Sequence, residues 1–327
     1  GHHHSNITIA NNIITGTKAM NSGIKLYGCD NSVAKNNTIT NYATGIKASA
    51  STGFNISENK ISSATYGIID TDSSQGQIVS NTLDKMTNEG IIVYGGGTIA
   101  DTVSSNVITN SSKHGIIVHT GATCSALTKN TITSCTTDGI QVYGSASAPS
   151  ITSNTIKSCG SNGIYVYSSA VATTIKSNKI SDCNKYGVYV TGKASVKTLS
   201  SNTIKNIKKN GIYVKNDKIK VTFKSNKLTR VGSTAIKIDS KFSSKKKQKY
   251  TFAPKVISLN LSGGVMTTQA SNLKKIKIKV GKKTYTKSTK AKNYTFYFKK
   301  YKKKAKTATV TFTDKNKNTV ARVLDLE

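Results

Sequence analysis

Over the first 240 positions, apolar residues fall at alternate places in short runs, and the runs recur about every 24 residues. The clearest run is Gly-Ile-x-Val. One of its inward columns reads Ile24, Ile46, Ile68, Ile91, Ile116, Ile140, Ile164, Val188, Ile212 and Ile236. The next reads Leu26, Ala48, Asp70, Val93, Val118, Val142, Val166, Val190, Val214 and Ile238. Apolar spacing of two predicts strands, not helices, and Ser, Thr, Asn and Gly between the runs predict turns. A second marker, Asn-x-Ile or Asn-x-Leu, precedes the Gly by about nine residues. It recurs at Asn12, Asn37, Asn59, Asn81, Asn106, Asn130, Asn154, Asn178, Asn202 and Asn226, in steps of 22 to 25. A short strand ends near each Asn (151–153, for example) and a third starts just after it (155–156). Three strands per coil predict an all-β parallel β-helix of about ten coils over residues 1–240. Residues 24 apart in sequence then lie roughly 4.8 Å apart in space.

The Asn column has a physical cause. A buried side-chain amide donates to one rung and accepts from the next, and Asn tolerates the left-handed backbone of a sharp corner. These Asn residues are structural and carry no expectation of binding.

The segments NNTITNYATGIKA, NTITSCTTDGIQVYG, NTIKSCGSNGIYVYS and NKISDCNKYGVYVTG resemble the right-handed parallel β-helix repeat of the pectin-lyase-like superfamily, over about residues 5–240. That superfamily includes polysaccharide lyases, glycoside hydrolases, uronate epimerases, phage tailspikes and non-catalytic surface proteins. Fold alone does not choose among them.

Near residue 240 the repeat stops, and residues 241–249 read as a basic linker. Residues 250–327 alternate without the 24-residue period, at Lys-Ile-Lys-Ile-Lys-Val (275–280), 294–298 and 308–313. This predicts a small antiparallel β-sandwich. It resembles the bacterial Ig-like modules of Gram-positive surface proteins, which implies a spacer or wall-facing unit.

Charge is placed unevenly. Residues 1–120 are net 0, residues 121–240 net +13 and residues 241–327 net +21. Such a field attracts polyanions. Only Arg230 and Arg322 of the 48 basic residues are Arg, and no nucleic-acid fold signature is present. Acidic polysaccharide or an anionic cell wall is therefore the expected partner, not a specific nucleic acid. Cys135, Cys159 and Cys183, spaced by 24, are expected as a stack of small buried thiols; Cys29 and Cys124 stand apart. An odd cysteine count argues against a disulfide scaffold. No apolar run is long enough to span a bilayer. Gly1-His2-His3-His4 reads as a tag remnant and Leu326-Glu327 as a vector scar. The repeat already runs at the first residues, which predicts a piece of a longer extracellular or cell-surface protein. A monomer from a Gram-positive anaerobe is expected.

Candidate chemistry falls on the outward columns of the Gly-led strands. Tyr94, His119, Tyr143 and Tyr167, with Tyr27, share one column; Tyr165, Tyr189 and Tyr213, with Lys25 and Lys47, share the next. Flat rings along a rod are expected to stack on sugar rings. In the column before each Gly, Glu89, His114 and Asp138 occupy successive rungs, a spacing that permits proton transfer. Asp70 is the polar exception in an inward column, so it is either buried with a partner or turned outward by a bulge. With Asp72 it offers oxygens to Ca²⁺, the one cofactor considered. The resemblance narrows the enzyme readings. The Asp-Asp and Gly-His-Gly signatures of family polygalacturonases are absent. The Tyr-Gly-Φ-Asp-Pro-His signature of family mannuronan epimerases is echoed only in part by residues 66–72. A family lyase would have to use Lys25 or Lys47 as base. A Thr column of the kind that suits ice is broken by Lys60, Lys179 and Lys227. The resulting expectation is a secreted or surface module that binds acidic polysaccharide along the Tyr-bearing face. The alternatives are a polysaccharide lyase, hydrolase or epimerase, and a passive adhesin stalk.

Overall fold

A computed structural model of the chain describes residues 4–19, 21–216, 219, 221–232, 235–238, 255–262, 265–271, 273–288, 293–297 and 305–326. The expected linker at 241–249 lies outside them. All regular structure in these residues is β. Each coil contributes a strand to three parallel sheets. The Gly-led sheet has ten strands, from Ser22–Tyr27 to Ile236–Ile238. The sheet before the Asn corner also has ten, from Thr8–Ala10 to Thr222–Lys224. The third sheet follows the Asn, from Ile13–Thr15 to Lys227–Val231. Register is in step over most of the rod, as where Ile140 pairs with Ile164 and Ile156 with Ile180, and shifts between Ser74–Val79 and Ile99–Ser104. Each apolar column thus becomes a sealed ridge of the core, and Ile140, Val142, Ile151 and Ile164 are all at 0% exposure.

The Gly column is set by close approach. A Cβ on Gly139 would meet the Ile156 methyl and lie 2.8 Å from the Gly163 carbonyl oxygen of the next coil. Ala235, in the tenth slot, precedes the last strand of its sheet among the described residues.

The Asn column forms the expected ladder. Asn154 donates its backbone N–H and its side-chain amide to Asn178 Oδ1, at 2.9 and 3.0 Å, and its amide also to the Leu127 carbonyl, at 3.0 Å. Its own Oδ1 accepts the same pair of donors from Asn130. One expectation is corrected. The left-handed backbone belongs to the residue before each ladder Asn, such as Lys129 (φ 57°), Ser153 (φ 59°) and Ser177 (φ 57°). The ladder Asn is selected for its amide, not for its backbone freedom.

The C-terminal strands are more than a spacer. Strand Thr319–Asp325 pairs in parallel with Lys227–Val231, and antiparallel strands Thr307–Thr313, Lys275–Val280 and Lys283–Ser288 follow in the same 14-stranded sheet. A separate sheet of Lys255–Ser262, Val265–Ser271 and Asn293–Tyr297 completes a small sandwich. Its core includes Met266, Ala270, Ile276, Ile278, Val310 and Phe312. Asn318-Thr-Val320 sits where an eleventh Asn-x-Ile would. Asn318 Oδ1 accepts from Asn226 N and Nδ2, at 3.0 and 3.1 Å, and Val320 joins the β-helix core. Asn318 in turn donates to both oxygens of buried Asp314, at 2.8 and 3.0 Å. A carboxylate only accepts, so the ladder stops there.

Asn318→Ala removes the acceptor for two buried donors of Asn226. It should lower the unfolding free energy by about 1–3 kcal/mol, read as a fall in urea midpoint. Asn12→Ala, at the exposed opposite end, should stay within about 0.5 kcal/mol of wild type.

Candidate functional site

The ring columns stack as the register requires, but on each other. Tyr94, His119, Tyr143 and Tyr167 follow at centroid distances of 5.3, 5.1 and 5.0 Å with interplanar angles of 9°, 4° and 7°. Tyr167 then stacks on Tyr165 (4.4 Å), Tyr165 on Tyr189 (5.0 Å) and Tyr189 on Tyr213 (5.2 Å), so both columns merge into one ladder. Ring faces are therefore largely occupied by neighbouring rings. The face presents edges, phenol groups and one imidazole to solvent, so hydrogen bonding, not stacking, is what it offers a sugar. Burial pushes the Tyr165 phenol up to about 12, and raises Tyr167 as well, so both stay protonated donors at neutral pH. Burial lowers His119 below the usual imidazole range.

Lys25 and Lys47 stand apart from this ladder. Lys25 lies 4.9 Å over the exposed Tyr27, and between these lysines and the ladder the column is apolar, with Ile69, Ile92 and Ile117 packed under Tyr66, Tyr94 and Tyr143.

Beside the ladder the surface dips into a notch of about 560 Å³. The dip is written in the sequence as short side chains at successive rungs, Thr136, Thr137, Gly160 and Ser161. Long side chains resume at Lys185 and Lys209, which continue the rung stack of Thr137 and Ser161 through backbone bonds of 2.8 and 2.9 Å. Tyr165, Tyr186 and Tyr189 form one wall, and His114, Asp138 and Asn162 also line the notch. Lys185 and Lys209 have no carboxylate partner among the described residues; Lys209 lies 5.9 Å from the Tyr186 ring.

Asp138 is 4% exposed and well supplied with donors. Asn162 gives its N–H (2.9 Å) and amide (2.7 Å) to Oδ1, and the Gln141 amide reaches Oδ2 at 3.0 Å. His114 Nδ1 lies 3.5 Å from Asp138 Oδ2 and 2.8 Å from Thr137 Oγ1. With the proton on Nδ1 the ring donates to Thr137 Oγ1; with the proton on Nε2 the Thr137 hydroxyl donates to Nδ1. Burial lowers the His114 pKa; Asp138 and then Glu89 pull it up, and Lys113 adds to the lowering. The net direction is down, so the imidazole is neutral at pH 7.

The three-rung trio thus divides. His114 and Asp138 come together in the notch. Glu89 is 8% exposed and faces Lys113 at 3.8 Å, outside the notch lining. Asp70 is not a surface acid. It is fully buried, and neither carboxylate oxygen has a hydrogen-bond partner. The adjacent Ser73 hydroxyl, which offsets a little of the burial effect, donates to the Thr71 carbonyl at 3.0 Å. Asp72 is exposed while Asp70 is interior, so the two do not present oxygens to a shared Ca²⁺. The period alone could not show that Tyr186, Lys185 and Lys209 adjoin the ring face, because it ranks neighbours within a column, not around a corner.

These features define a parallel β-helix of the pectin-lyase-like fold with a polar notch beside an aromatic ladder. The chain belongs to the family described as periplasmic copper-binding protein (NosD), whose model matches residues 4–175 and 146–247. Comparison with curated proteins returned no match. Among solved structures, the A-module of the Azotobacter vinelandii mannuronan C-5 epimerase AlgE6 is 14% identical, with a TM-score of 0.50, over 75% of this chain and 85% of that one. A Thermotoga maritima exopolygalacturonase is 12% identical with a TM-score of 0.42, over 67% of this chain; the chain spans 55% of that enzyme's length. A tailspike of Escherichia coli bacteriophage HK620 is 10% identical with a TM-score of 0.44, over 98% of this chain and 68% of that one. At these identities the likeness is one of fold.

The family description names copper, which calls for a set of His, Cys or carboxylate donors. Among the described residues no three His, Cys, Asp or Glu side chains gather as a ligand set. Cys135, Cys159 and Cys183 are buried in the core as expected. Contacts with Cys135 and Cys183, and then burial, hold the Cys159 thiol far above its ordinary value, whereas a metal ligand must be thiolate. The described residues do not fit a copper ion.

Burial raises Asp70 from the ordinary 3.8 to about 7. Between those values the folded chain keeps a proton that the unfolded chain has released. Its contribution to stability should therefore fall as pH rises from about 4 to 7, by on the order of 4 kcal/mol, and level off above. Asp70→Val, which matches Val93 and Val118 in the same column, should remove this slope. Urea midpoints of both proteins across that range measure the difference.

Proposed function

We propose that this chain binds an acidic polysaccharide along its ring-bearing face, outside the cytoplasm, with the notch as its anchor point. The observation that carries the reading is the pair Lys185 and Lys209. Two ammonium groups on adjacent rungs, without salt-bridge partners among the described residues, stand at a concavity also lined by hydroxyls, an amide, phenols, the His114 imidazole and the buried Asp138 carboxylate. That lining suits a polymer bearing both hydroxyls and carboxylates. The phenol edges of Tyr143, Tyr165, Tyr167 and Tyr189 extend the same polar track along the rod. The fold shared with a mannuronan epimerase module and the periplasmic description of the family agree with a polyuronate met outside the cytoplasm. Lysines of the C-terminal module, including Lys275, Lys277 and Lys279 on one exposed strand face, would hold the protein to an anionic wall or matrix.

A second reading is favoured by one feature, the neutral His114 held by Asp138, which is an arrangement for proton transfer and not for binding alone. Hydrolysis of the glycosidic bond is the least supported form of it. That chemistry commonly uses two carboxyl groups, one of them protonated. Here the single carboxylate of the notch, Asp138, is saturated with donors.

Co-sedimentation with gel-coupled polygalacturonate, polymannuronate and polyguluronate, with a neutral glucan as control, tests the binding reading. At least one polyuronate should retain the protein and the glucan should not. The double variant Lys185→Ala with Lys209→Ala should weaken retention roughly tenfold or more and flatten its salt dependence. Unchanged retention in that variant would sink the assignment of the notch. Replacing Tyr143, Tyr165 and Tyr167 together by Ala should abolish retention on the ring-bearing face.

A further inference from the structure

We propose that one outward face of the 14-stranded sheet, from strand Thr155–Lys157 to strand Lys283–Ser288, docks onto an anionic lipid bilayer, held at the headgroups by exposed lysines and not inserted. The face shares no residue with the notch and does not depend on what the notch binds. It rests on the reading that Lys275, Lys277 and Lys279 meet an anionic surface, and it names that surface.

Register builds the face. In the later coils Ile204 and Leu228 are buried, so Thr203 and Lys205, and Lys227 and Thr229, point out. The C-terminal strands keep this parity. Leu228 pairs with Val320, Val320 with Phe312 and Phe312 with Ile276, all of them buried. The outward residues therefore run on without a break from the rod into the C-terminal module. Lys227 pairs with Thr319, Thr319 with Thr313 and Thr313 with Lys275. Thr229, Ala321, Thr311 and Lys277 form the column beside it. Eight strands at roughly 4.8 Å make a face roughly 34 Å long.

Charge on this face is spread in two dimensions and is almost all of one sign. On the rod, Lys157 and Lys205 lie in one column and Lys179 and Lys227 in the other, on alternate rungs, so diagonal neighbours are roughly 8 Å apart. Lys275, Lys277 and Lys279 follow on a single strand. All seven are exposed, and none has a salt-bridge partner among the described residues. Hydroxyls lie between them, Thr155, Ser181 and Thr203 for example, as donors to phosphate oxygens. One acid has outward parity, Asp325 at the far end of its strand. Asp182 lies in a bordering turn, where Asn206 donates to it at 2.8 Å. The earlier strands of the same sheet differ. From Ile13–Thr15 to Thr131–Thr133 the charged outward residues are Lys60 and Asp84, which cancel. The layout of the lysines favours a plane over a thread. A straight polymer along one column would meet Lys179, Lys227 and Lys275 and leave the others aside, whereas a layer of anionic headgroups meets all seven. Val323 is the one exposed large apolar residue on the face among those described, so nothing there wedges into the acyl region and the attachment is electrostatic.

The test is co-sedimentation of the full chain with large vesicles of phosphatidylcholine, with and without phosphatidylglycerol. Wild type should bind only the vesicles that contain phosphatidylglycerol, and added salt should release it. The quadruple variant Lys157→Gln, Lys179→Gln, Lys205→Gln and Lys227→Gln should lower the vesicle partition coefficient by on the order of 10²-fold. A control of equal net charge, Lys25→Gln, Lys47→Gln, Lys193→Gln and Lys215→Gln, changes lysines off the face and should stay within about fivefold of wild type. Both should keep the wild-type melting curve, since the lysines changed make no buried contact. The face variant should also keep its retention on polyuronate gels, because the notch is intact. Equal losses in the face variant and the control would mean attraction by net charge alone and would overturn the face. Wild type that is retained by polyuronate but ignores anionic vesicles overturns the bilayer as partner and leaves the polysaccharide reading standing. Wild type that binds vesicles but no polyuronate does the reverse.

Discussion

The directional amide ladder is the interaction on which the rest of this molecule depends. From Asn37 to Asn226, each ladder Asn gives two donors to the Oδ1 of the following coil and its amide also to a carbonyl of an earlier coil, as at Asn154. The arrangement satisfies buried polar groups at a corner that no apolar residue could occupy without orphaning backbone N–H groups. It also fixes register, because a slip of one residue in any coil would unpair two amides at once. With register fixed, coil steps that vary from 22 to 25 residues are absorbed in the turns while the columns stay aligned. A ladder with direction needs a different ending at each end. The C-terminal hairpin supplies an acceptor in Asn318 and a terminator in Asp314. An open β-helix end is a template for further pairing, so this closure also removes a sheet edge.

Alignment of columns has two opposite consequences on the two sides of the wall. Inside, it turns Ile and Val into continuous ridges and makes any polar member conspicuous, as at Asp70. Outside, it turns aromatic residues into a stack that consumes its own faces. A ring column at rung spacing is close to the natural stacking distance of rings, so self-association competes with any ligand for the π surface. What remains for recognition is the stack's polar edge and the places where it ends or where the neighbouring columns shorten. The notch is such a place, made by Thr137, Gly160 and Ser161.

The fold was legible because it is periodic. The three strands per coil, the Asn ladder and the buried Cys column follow from counting by 24. The adjacency of His114 and Asp138 was legible for the same reason. What escaped falls where the period is broken or silent. Asn318 completes the ladder but stands 92 residues after Asn226, so counting could not find it. Lys185 and Lys209 form a regular column, yet which column adjoins the rings depends on how the corner folds, and sequence spacing carries no information about that. The strand parity of Asp70 pointed inward, and its burial followed parity, with no partner to soften it. The left-handed positions, mostly Ser before the ladder Asn, were masked by the stronger Asn signal beside them.

Charge placement separates the notch from the rest of the basic surface. On the two flat sheets of the later coils, lysines alternate with hydroxyl residues along the rod. Lys176 and Lys224 flank Ser200, Lys179 and Lys227 flank Thr203, and Lys157 and Lys205 flank Ser181. Two rungs put such lysines roughly 10 Å apart, beyond the ~8 Å screening length of physiological salt, so their repulsion is small. Lys185 and Lys209 break this spacing. Their backbones are one rung apart, and neither has a salt-bridge partner among the described residues. Like charges on neighbouring rungs repel, and an anion between them would offset that repulsion. The flat faces can hold a polyanion loosely anywhere along their length. The notch is where two lysines of adjacent rungs meet a concavity, whereas Lys25 and Lys47, also register partners on adjacent rungs, stand outside it.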